Sequence, residues 1–172
     1  MTAAKFPHEK FDDLLAANHD YQKSFKYSEL TGVAKQGLAI VTCMDSRINP
    51  LSVVGMRSGD AKILRNAGAR VTEDVLRTLV LGTYLLGVDR ILIMPHTDCR
   101  MAKSEEQEIH QLIDDEFGVD TRSLEFRTVT DQKRALAVDV QRVRSYPLIR
   151  KGVSVAGAIY DVSNGSITPI DC

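Results

Sequence analysis

Leu38-Ala-Ile-Val-Thr-Cys43 is the stretch that decides the fold of this chain of 172 residues. It carries no charged side chain, and a short apolar run of this kind is typical of a strand that is buried on both faces of a parallel sheet. Met44-Asp-Ser-Arg47 follows at once. Parallel sheets bind their ligands at the carboxyl ends of the strands, so this part of the chain predicts a core strand and also the position of a site.

Strand and helix patterns alternate along the rest of the chain. Further strands are predicted at Ala61-Lys-Ile-Leu64, at Arg90-Ile-Leu-Ile-Met94 and over residues 153–162. Helices are predicted over residues 6–25, 71–86, 104–117 and 131–144 from their apolar spacing and their end residues. Strands separated by helices favour a parallel sheet that is covered on both faces.

A hairpin closes the pattern. Asn164-Gly165 favours a type I′ turn that leads into Ile167-Thr-Pro-Ile170. Pro169 has no backbone N–H, which places this last strand at an edge of the sheet. We therefore expect an α/β fold with a central four-stranded parallel sheet, an added antiparallel edge strand and helices on both faces. The length suits one domain over residues 1–172, with a helical arm over residues 1–30.

The composition is that of a globular protein, since 44% of the residues are hydrophobic, 26% are charged and the formal net charge is −1. Lys and Arg form no stripe, so we expect no nucleic-acid partner. The apolar stretch of residues 79–88 is too short to span a bilayer, and the N-terminal residues lack the apolar core of a signal peptide. We therefore expect no membrane partner and a cytoplasmic location, where cysteines stay reduced.

Cys43, His96 and Cys99 are candidate metal ligands. Thiolates and imidazoles are the donors that zinc favours. His96 and Cys99 are three residues apart and follow one predicted strand, while Cys43 ends another, so the three side chains meet if these strand ends are neighbours. A structural zinc site normally uses four ligands, whereas a catalytic zinc keeps three and leaves one position open. The set of three therefore favours a catalytic Zn²⁺.

Asp45 and Arg47 are candidate catalytic residues beside that metal. A carboxylate and a guanidinium two residues apart can form a bidentate pair, which keeps Asp45 ionised and fixed in direction. An ionised carboxylate accepts a hydrogen bond and cannot donate one, so Asp45 would orient a zinc hydroxide toward a substrate. Zinc lowers the pKa of bound water toward ~7. Two thiolates neutralise the ion, so we expect a smaller lowering than at a site with three histidines.

Each of these residues has a plainer interpretation when it is taken alone. Cys43 and Cys99 would be small core residues, and His96 would be a hydrogen-bonded loop residue. Asp45 and Arg47 would be a local ion pair. However, C-x-D-x-R and H-x-x-C occur together by chance in roughly one chain in a thousand or fewer, and here both follow predicted strands. The combination favours the functional interpretation.

The sequence resembles the β-class carbonic anhydrases, in their compact prokaryotic-type branch. The resemblance extends from about Leu38 to Val162. Its matching segments are Cys43-Met-Asp-Ser-Arg47, His96-Thr-Asp-Cys99, Leu64-Arg-Asn-Ala-Gly68-Ala-Arg, Val143-Arg-Ser-Tyr-Pro-Leu-Ile149 and Val155-Ala-Gly-Ala-Ile-Tyr-Asp-Val162. The resemblance implies a carbonate dehydratase, a zinc lyase that hydrates carbon dioxide reversibly to bicarbonate and a proton.

The same resemblance implies that Cys43, His96 and Cys99 bind the zinc and that Asp45 and Arg47 form the catalytic dyad. It also implies a homodimer, often paired into a homotetramer, in which the N-terminal helix packs on the neighbouring subunit. Arg100 departs from the family, which usually has Gly after the second cysteine. The chain contains no Trp, so a regulatory bicarbonate pocket built on Trp is not expected.

Three alternatives stay open at this point. Carbonyl sulfide and carbon disulfide hydrolases resemble this family and share its ligands, and the residue change at Arg100 leaves that substrate class possible. A non-catalytic zinc protein could use the same scaffold, although it would not need the Asp45–Arg47 pair. A thiol-redox protein needs two nearby thiols and no metal, and the chain has no C-x-x-C motif.

Overall fold

The computed structural model describes residues 5–172, and the first four residues of the predicted arm lie outside the described residues. The chain divides into two compact units, Met1–Thr31 and Gly32–Cys172. Within the described part of the chain, every helix is too short or too polar to cross a membrane.

The first unit contains helix α1, His8–Lys23. The helix is two residues shorter at each end than the predicted range of 6–25, and it stops where the N–H of Ser24 bonds to the carbonyl of Tyr21 at 3.1 Å. None of the described residues of this unit is buried. Its large exposed apolar side chains are Phe6, Phe11, Leu14, Leu15, Tyr21, Phe25 and Tyr27. These side chains form an apolar surface that the described residues of the unit do not cover.

The second unit is built on a five-stranded sheet in the order β2-β1-β3-β4-β5. The strands are β1 Leu38–Cys43, β2 Ala61–Asn66, β3 Arg90–Met94, β4 Ser154–Tyr160 and β5 Ile167–Ile170. The first four are mutually parallel, and β5 pairs antiparallel with β4 at the edge. The predicted fold class is therefore confirmed. The predicted bounds of β1, β3 and β5 match those in the structure, whereas β2 is two residues longer than predicted.

The helices of the second unit begin at recognisable caps. They are α2 Pro50–Val53, α3 Glu73–Leu85, α4 Glu106–Phe117 and α5 Gln132–Arg144. The side chains of Thr72 and Asp131 accept hydrogen bonds from the first turns of α3 and α5, at 3.4 and 3.0 Å. Such bonds satisfy N–H groups that have no partner within the helix. Gly118 ends α4 in the left-handed conformation with a φ of 64°, which a residue without Cβ adopts at no steric cost.

The sheet separates two apolar clusters, because successive side chains of a strand point to opposite faces. One cluster contains Val41 and Ile93 together with Leu76 of α3 and Leu136 of α5. The other contains Ile40 and Met94, and its remaining buried members are Leu38, Cys43, Ile48, Cys99 and Met101. Two of the predicted metal ligands are therefore set into the apolar interior at one end of the sheet.

The predicted type I′ turn at Asn164-Gly165 is wrong. That turn needs a positive φ at both residues, and only Gly165 has one, at 79°. The connection instead spans residues 161–166, with a bond of 2.9 Å from the N–H of Asp161 to the carbonyl of Ser166. The Asp161 carboxylate accepts from the N–H and the hydroxyl of Ser163 at 2.8 and 2.7 Å, so a side chain organises the loop in place of the tight turn.

Candidate metal centre

The structure brings Cys43, His96 and Cys99 together at the carboxyl ends of β1 and β3. These strands are adjacent and parallel, with Thr42 opposite Met94, so the residues that follow them meet at one edge of the sheet. One donor atom from each of the three side chains lies within 4.8 Å of the others, and all three residues are buried. The spatial proximity that the sequence predicted is present.

The donor atoms have the spacing and chemistry of a metal site. The two Sγ atoms lie 3.9 Å apart, close to the about 3.8 Å that separates two thiolates on a tetrahedral zinc with Zn–S bonds of about 2.3 Å. Nδ1 of His96 lies 2.7 Å from the carbonyl oxygen of Thr97, which can only accept, so Nδ1 carries the proton. Nε2 is then a free lone pair, and it is buried with no hydrogen-bond partner. The donor atoms of Cys43, His96 and Cys99 are therefore suited to bind a metal cation.

The two cysteines are electrostatically different. The two thiols share a hydrogen bond across the 3.9 Å between their Sγ atoms, and this bond lowers the pKa of Cys43 although burial opposes the shift. The pKa of Cys99 is raised because its proton is held by the Cys43 sulfur and because it is buried. Burial disfavours a charged His96, but the nearby Cys43 sulfur and the Thr97 carbonyl outweigh this effect and raise its pKa. The Cys43 thiolate is thus a negative group that a bound cation would balance.

Asp45 and Arg47 form the predicted bidentate pair, which we call the inner fork. Nε and Nη2 of Arg47 donate to Oδ1 and Oδ2 of Asp45 at 2.9 and 2.7 Å, and the Arg47 backbone N–H donates to Oδ1 at 2.9 Å. The side-chain bonds from Arg47 hold the pKa of the Asp45 carboxyl far below its usual value. Oδ2 of Asp45 lies 3.7 Å from Nε2 of His96. An ionised carboxylate oxygen is thus placed directly beside the donor cluster.

Asp98 and Arg65 also bond to the segment from Cys43 to Arg47, and the sequence alone indicated no role for either residue. Nη1 of Arg47 donates to Oδ2 of Asp98 at 2.8 Å, and Nη2 donates to the Asp98 carbonyl at 3.2 Å. Arg65 donates from Nε to the Cys43 carbonyl at 2.9 Å and from Nη2 to the Asp45 carbonyl at 2.5 Å. The parallel register of β1 and β2 brings Arg65 next to these carbonyls. Its contacts could therefore be predicted only if the register were known.

The segment from His96 to Cys99 is fixed by three other parts of the second unit. Nε2 of Gln132, at the start of α5, donates to the His96 carbonyl at 2.7 Å. The Thr97 N–H donates to the carbonyl of Tyr160 at 2.9 Å, and the Thr97 hydroxyl accepts from the N–H of Val162 at 3.1 Å. Both backbone and side-chain bonds therefore position the ligands that this segment carries.

An open cleft leads to the donor cluster. It is lined by Cys43, Met44, Asp45, Ser46, Arg47, Ala67, Cys99, Arg100 and Met101. Arg100 is exposed and lies in the cleft wall next to Cys99. The cleft wall combines apolar side chains with the inner fork, so a small uncharged molecule can approach the donor cluster from solvent.

Comparisons with known proteins agree with this geometry. Residues 38–167 match a protein-family model described as carbonic anhydrase. β-Carbonic anhydrase 1 of Mycobacterium tuberculosis is 34% identical over 160 residues, which cover 92% of this chain and 96% of that protein. This chain belongs to the β-carbonic anhydrase family.

A solved carbonic anhydrase has the same fold, and a second named activity occurs among the sequence relatives. The carbonic anhydrase of Streptococcus mutans superimposes with a TM-score of 0.88 at 34% identity, over 98% of this chain and 100% of that one. A carbon disulfide hydrolase of Acidithiobacillus thiooxidans is 29% identical over 152 residues, or 77% of this chain and 76% of that protein. Relatives of this chain are thus named for two different substrates.

Proposed function

We propose that this protein hydrates carbon dioxide reversibly to bicarbonate and a proton, with Zn²⁺ held by Cys43, His96 and Cys99. One observation carries the proposal. An ionised, fork-held carboxylate, that of Asp45, lies 3.7 Å from the free Nε2 of a buried group of three metal donors. A purely structural site has no use for such a carboxylate.

Zinc is the metal that this donor set suits best. Two thiolates and one imidazole are soft to borderline donors, which favour zinc over the hard cations magnesium and calcium. Cys43, His96 and Cys99 would hold the ion with three protein donors, fewer than the four of a structural zinc site, which would leave it accessible to water or substrate. The Nδ1–H bond from His96 to Thr97 fixes the ring orientation, so Nε2 stays directed at the metal position.

The residues around the metal position have separate roles in hydration. Bound zinc supplies a nucleophile near neutral pH by lowering the pKa of water. Asp45, kept ionised by Arg47, accepts a hydrogen bond from the attacking water and leaves its remaining lone pair facing carbon dioxide. Cys43 and Cys99 place two negative charges on the metal, so we expect hydration to become fast only above neutral pH.

We also propose that the chain functions as a single domain with an N-terminal arm, in a homodimer or a dimer of dimers in the cytoplasm. The support is the apolar surface of residues 5–31, where Leu14 is 58% exposed and Phe11 is 41% exposed. Water-exposed apolar area of this kind marks a protein–protein contact. A reducing compartment keeps Cys43 and Cys99 available as metal ligands.

Light scattering after size exclusion tests the assembly. Wild-type protein should have at least twice the 19.1 kDa mass of one chain. Leu14→Glu should lower that mass, because a charge enters the apolar surface, whereas Gln22→Glu on the same helix should not. A wild-type protein of monomer mass would contradict this part of the proposal.

Stopped-flow hydration of carbon dioxide by protein of measured zinc content tests the activity. We expect about one zinc per chain and a rate that rises with pH, and His96→Ala should lack both. The same preparations are then assayed with carbonyl sulfide and carbon disulfide. Turnover of these gases without carbon dioxide hydration would assign the chain to the hydrolases. Full zinc without turnover of any of the three gases would indicate a non-catalytic zinc protein.

A further inference from the structure

The guanidinium of Arg47 is held by two carboxylates. One edge of it, Nε and Nη2, faces Asp45, and its Nη1 faces Oδ2 of Asp98 at 2.8 Å. Nη2 also donates to the Asp98 backbone carbonyl at 3.2 Å. Because both ends of the planar group are engaged, rotation about the terminal bonds of Arg47 would break contacts with Asp98 whichever way it turned.

Asp98 is itself held in place. Its backbone is in the left-handed region, with a φ of 56°, a conformation that Asp tolerates better than most side chains. Its Oδ1 accepts from Nζ of Lys103 at 2.5 Å, so each carboxylate oxygen has a cationic partner. Lys103, Asp98, Arg47 and Asp45 therefore form a chain of alternating charge that ends beside His96.

A second Asp-x-Arg pair in the same protein shows what Asp98 adds. Arg122 donates from Nε and Nη2 to Asp120 at 2.9 and 2.7 Å and from its backbone N–H at 3.0 Å. These distances are nearly those of the inner fork. Over residues 5–172, the hydrogen bonds found for Arg122 all go to Asp120. The fork therefore forms without a second carboxylate, and Asp98 is not needed to create it.

We propose that Asp98 is a positioning residue, which fixes the guanidinium of Arg47 and through it the direction of the Asp45 carboxylate. Asp98 does not touch the metal position in this account. Its role is to add a second anchor to a guanidinium whose side chain is 45% exposed. The inference rests on the proposed hydration function for its kinetic consequence, but its structural consequence can be measured without any activity.

Asp98→Asn is the variant that tests the proposal, with Asp120→Asn as the matched control. Asn keeps the size of the side chain and also tolerates the left-handed backbone, while it removes the charge. The first measurement is the water-exchange rate of the Arg47 Nε–H proton by nitrogen-15 NMR, assigned with Arg47→Lys. We expect this rate to rise about threefold to tenfold in Asp98→Asn, the range for charged hydrogen bonds that are half exposed. Asp120→Asn should leave it unchanged.

Kinetics are the second measurement, at equal zinc content. Asp98→Asn should lower kcat by about threefold to tenfold with KM within about twofold, because a misdirected Asp45 affects the reaction and not the entry of substrate. Lys103→Met gives a second variant that leaves the Asp98 turn intact. It removes one partner of Asp98, and we expect about a twofold change in the same direction in both measurements.

The outcomes separate the two proposals. A wild-type protein without hydration activity would sink the proposed function, and the Arg47 proton exchange would still decide the role of Asp98. Unchanged proton exchange in both Asp98→Asn and Lys103→Met would overturn the positioning role, whatever the activity. Faster exchange with an unchanged kcat in an active enzyme would also overturn it, since Asp98 would then position Arg47 without consequence.

Discussion

Two Asp-x-Arg forks in this chain have almost the same local geometry and different surroundings. In the inner fork, Asp45 is 18% exposed and Arg47 is 45% exposed. In the outer fork, formed by Asp120 and Arg122, the corresponding values are 57% and 81%. In both, the arginine side-chain bonds hold the pKa of the carboxyl well below its usual value. The spacing permits a fork but does not ensure one, since Asp98 and Arg100 have the same spacing while Asp98 pairs with Arg47 and Lys103. Where a fork forms, its neighbours decide what it can do.

The neighbours of the inner fork are the donor cluster and Asp98. Oδ2 of Asp45 lies 3.7 Å from Nε2 of His96, whereas the outer fork follows the end of α4 at the surface. Buried charge interacts more strongly than charge in water. The same pair of residues therefore adjoins a buried donor cluster in one place and is a solvated surface ion pair in the other. Four predictions test this difference.

Removing a proposed metal ligand has the largest expected effect, because without bound zinc the inner fork should contribute no more to hydration than the outer fork. Cys99→Ser should lower zinc affinity at least about a hundredfold, more than the loss of a residue that only supports a ligand, and should abolish hydration. Cys172→Ser is the matched control, since this thiol is exposed. Zinc content after dialysis against a chelator measures the effect. Equal zinc retention in the two variants would refute the assigned ligand.

Neutralising the carboxylate should have very different effects on kcat in the two forks. Asp45→Asn should lower kcat by about a hundredfold to a thousandfold, the range for loss of one preorganised polar group at the reacting atoms, because an amide can also donate and no longer fixes the direction of the attacking oxygen. Asp120→Asn should keep kcat within about twofold. The comparison requires equal zinc content in both variants. Similar kcat values for the two variants would show that the inner fork has no catalytic part.

Replacing the guanidinium tests whether the fork needs its planar shape. Arg47→Lys keeps the charge but cannot make the two parallel bonds to Asp45, so we expect kcat to fall about tenfold. Arg122→Lys should have no effect on kcat. Steady-state hydration of carbon dioxide measures both. An Arg47→Lys enzyme with wild-type kcat would mean that only the charge at this position matters.

The outer fork should matter least, and only for stability. Its arginine bonds depress the pKa of Asp120, so the pair stabilises the fold fully above the unfolded value of about 3.9 and loses this contribution as the pH falls below it. Both side chains are exposed and therefore screened by solvent. Asp120→Asn should lower Tm by less than about 1 °C at pH 7, and the difference should shrink toward pH 3. Thermal scans across this range check the sign, and a difference that grows toward pH 3 would contradict it.

Much of the frame was predictable from the sequence, because strong local patterns determine it. The uncharged run that becomes β1 and the apolar run that becomes β3 have the predicted bounds. The rule that parallel strands align their carboxyl ends predicted that Cys43 meets His96 and Cys99 if the two strands are neighbours, and the structure supplies that adjacency. The spacing of Asp45 and Arg47 permitted their pairing, and the turn of the loop completes it.

The remaining features depend on contacts between distant parts of the chain. Asp98 lies 51 residues from Arg47, and its role depends on a left-handed backbone that no local pattern requires. Arg65 reaches the Cys43 carbonyl only through the strand register. The Asp161 side chain organises the loop after β4 and also accepts from the Thr97 hydroxyl at 3.3 Å. A turn rule that considers only neighbouring residues cannot predict this contact.

X-ray absorption at the zinc edge of the zinc-loaded protein tests the central claim most directly, since it counts the atoms around the metal. The account predicts two sulfur neighbours at about 2.3 Å and two nitrogen or oxygen neighbours at about 2.0–2.2 Å, one of them an imidazole, with no change in Cys172→Ser. Three or more sulfur neighbours, or none, would contradict the open centre formed by Cys43, His96 and Cys99.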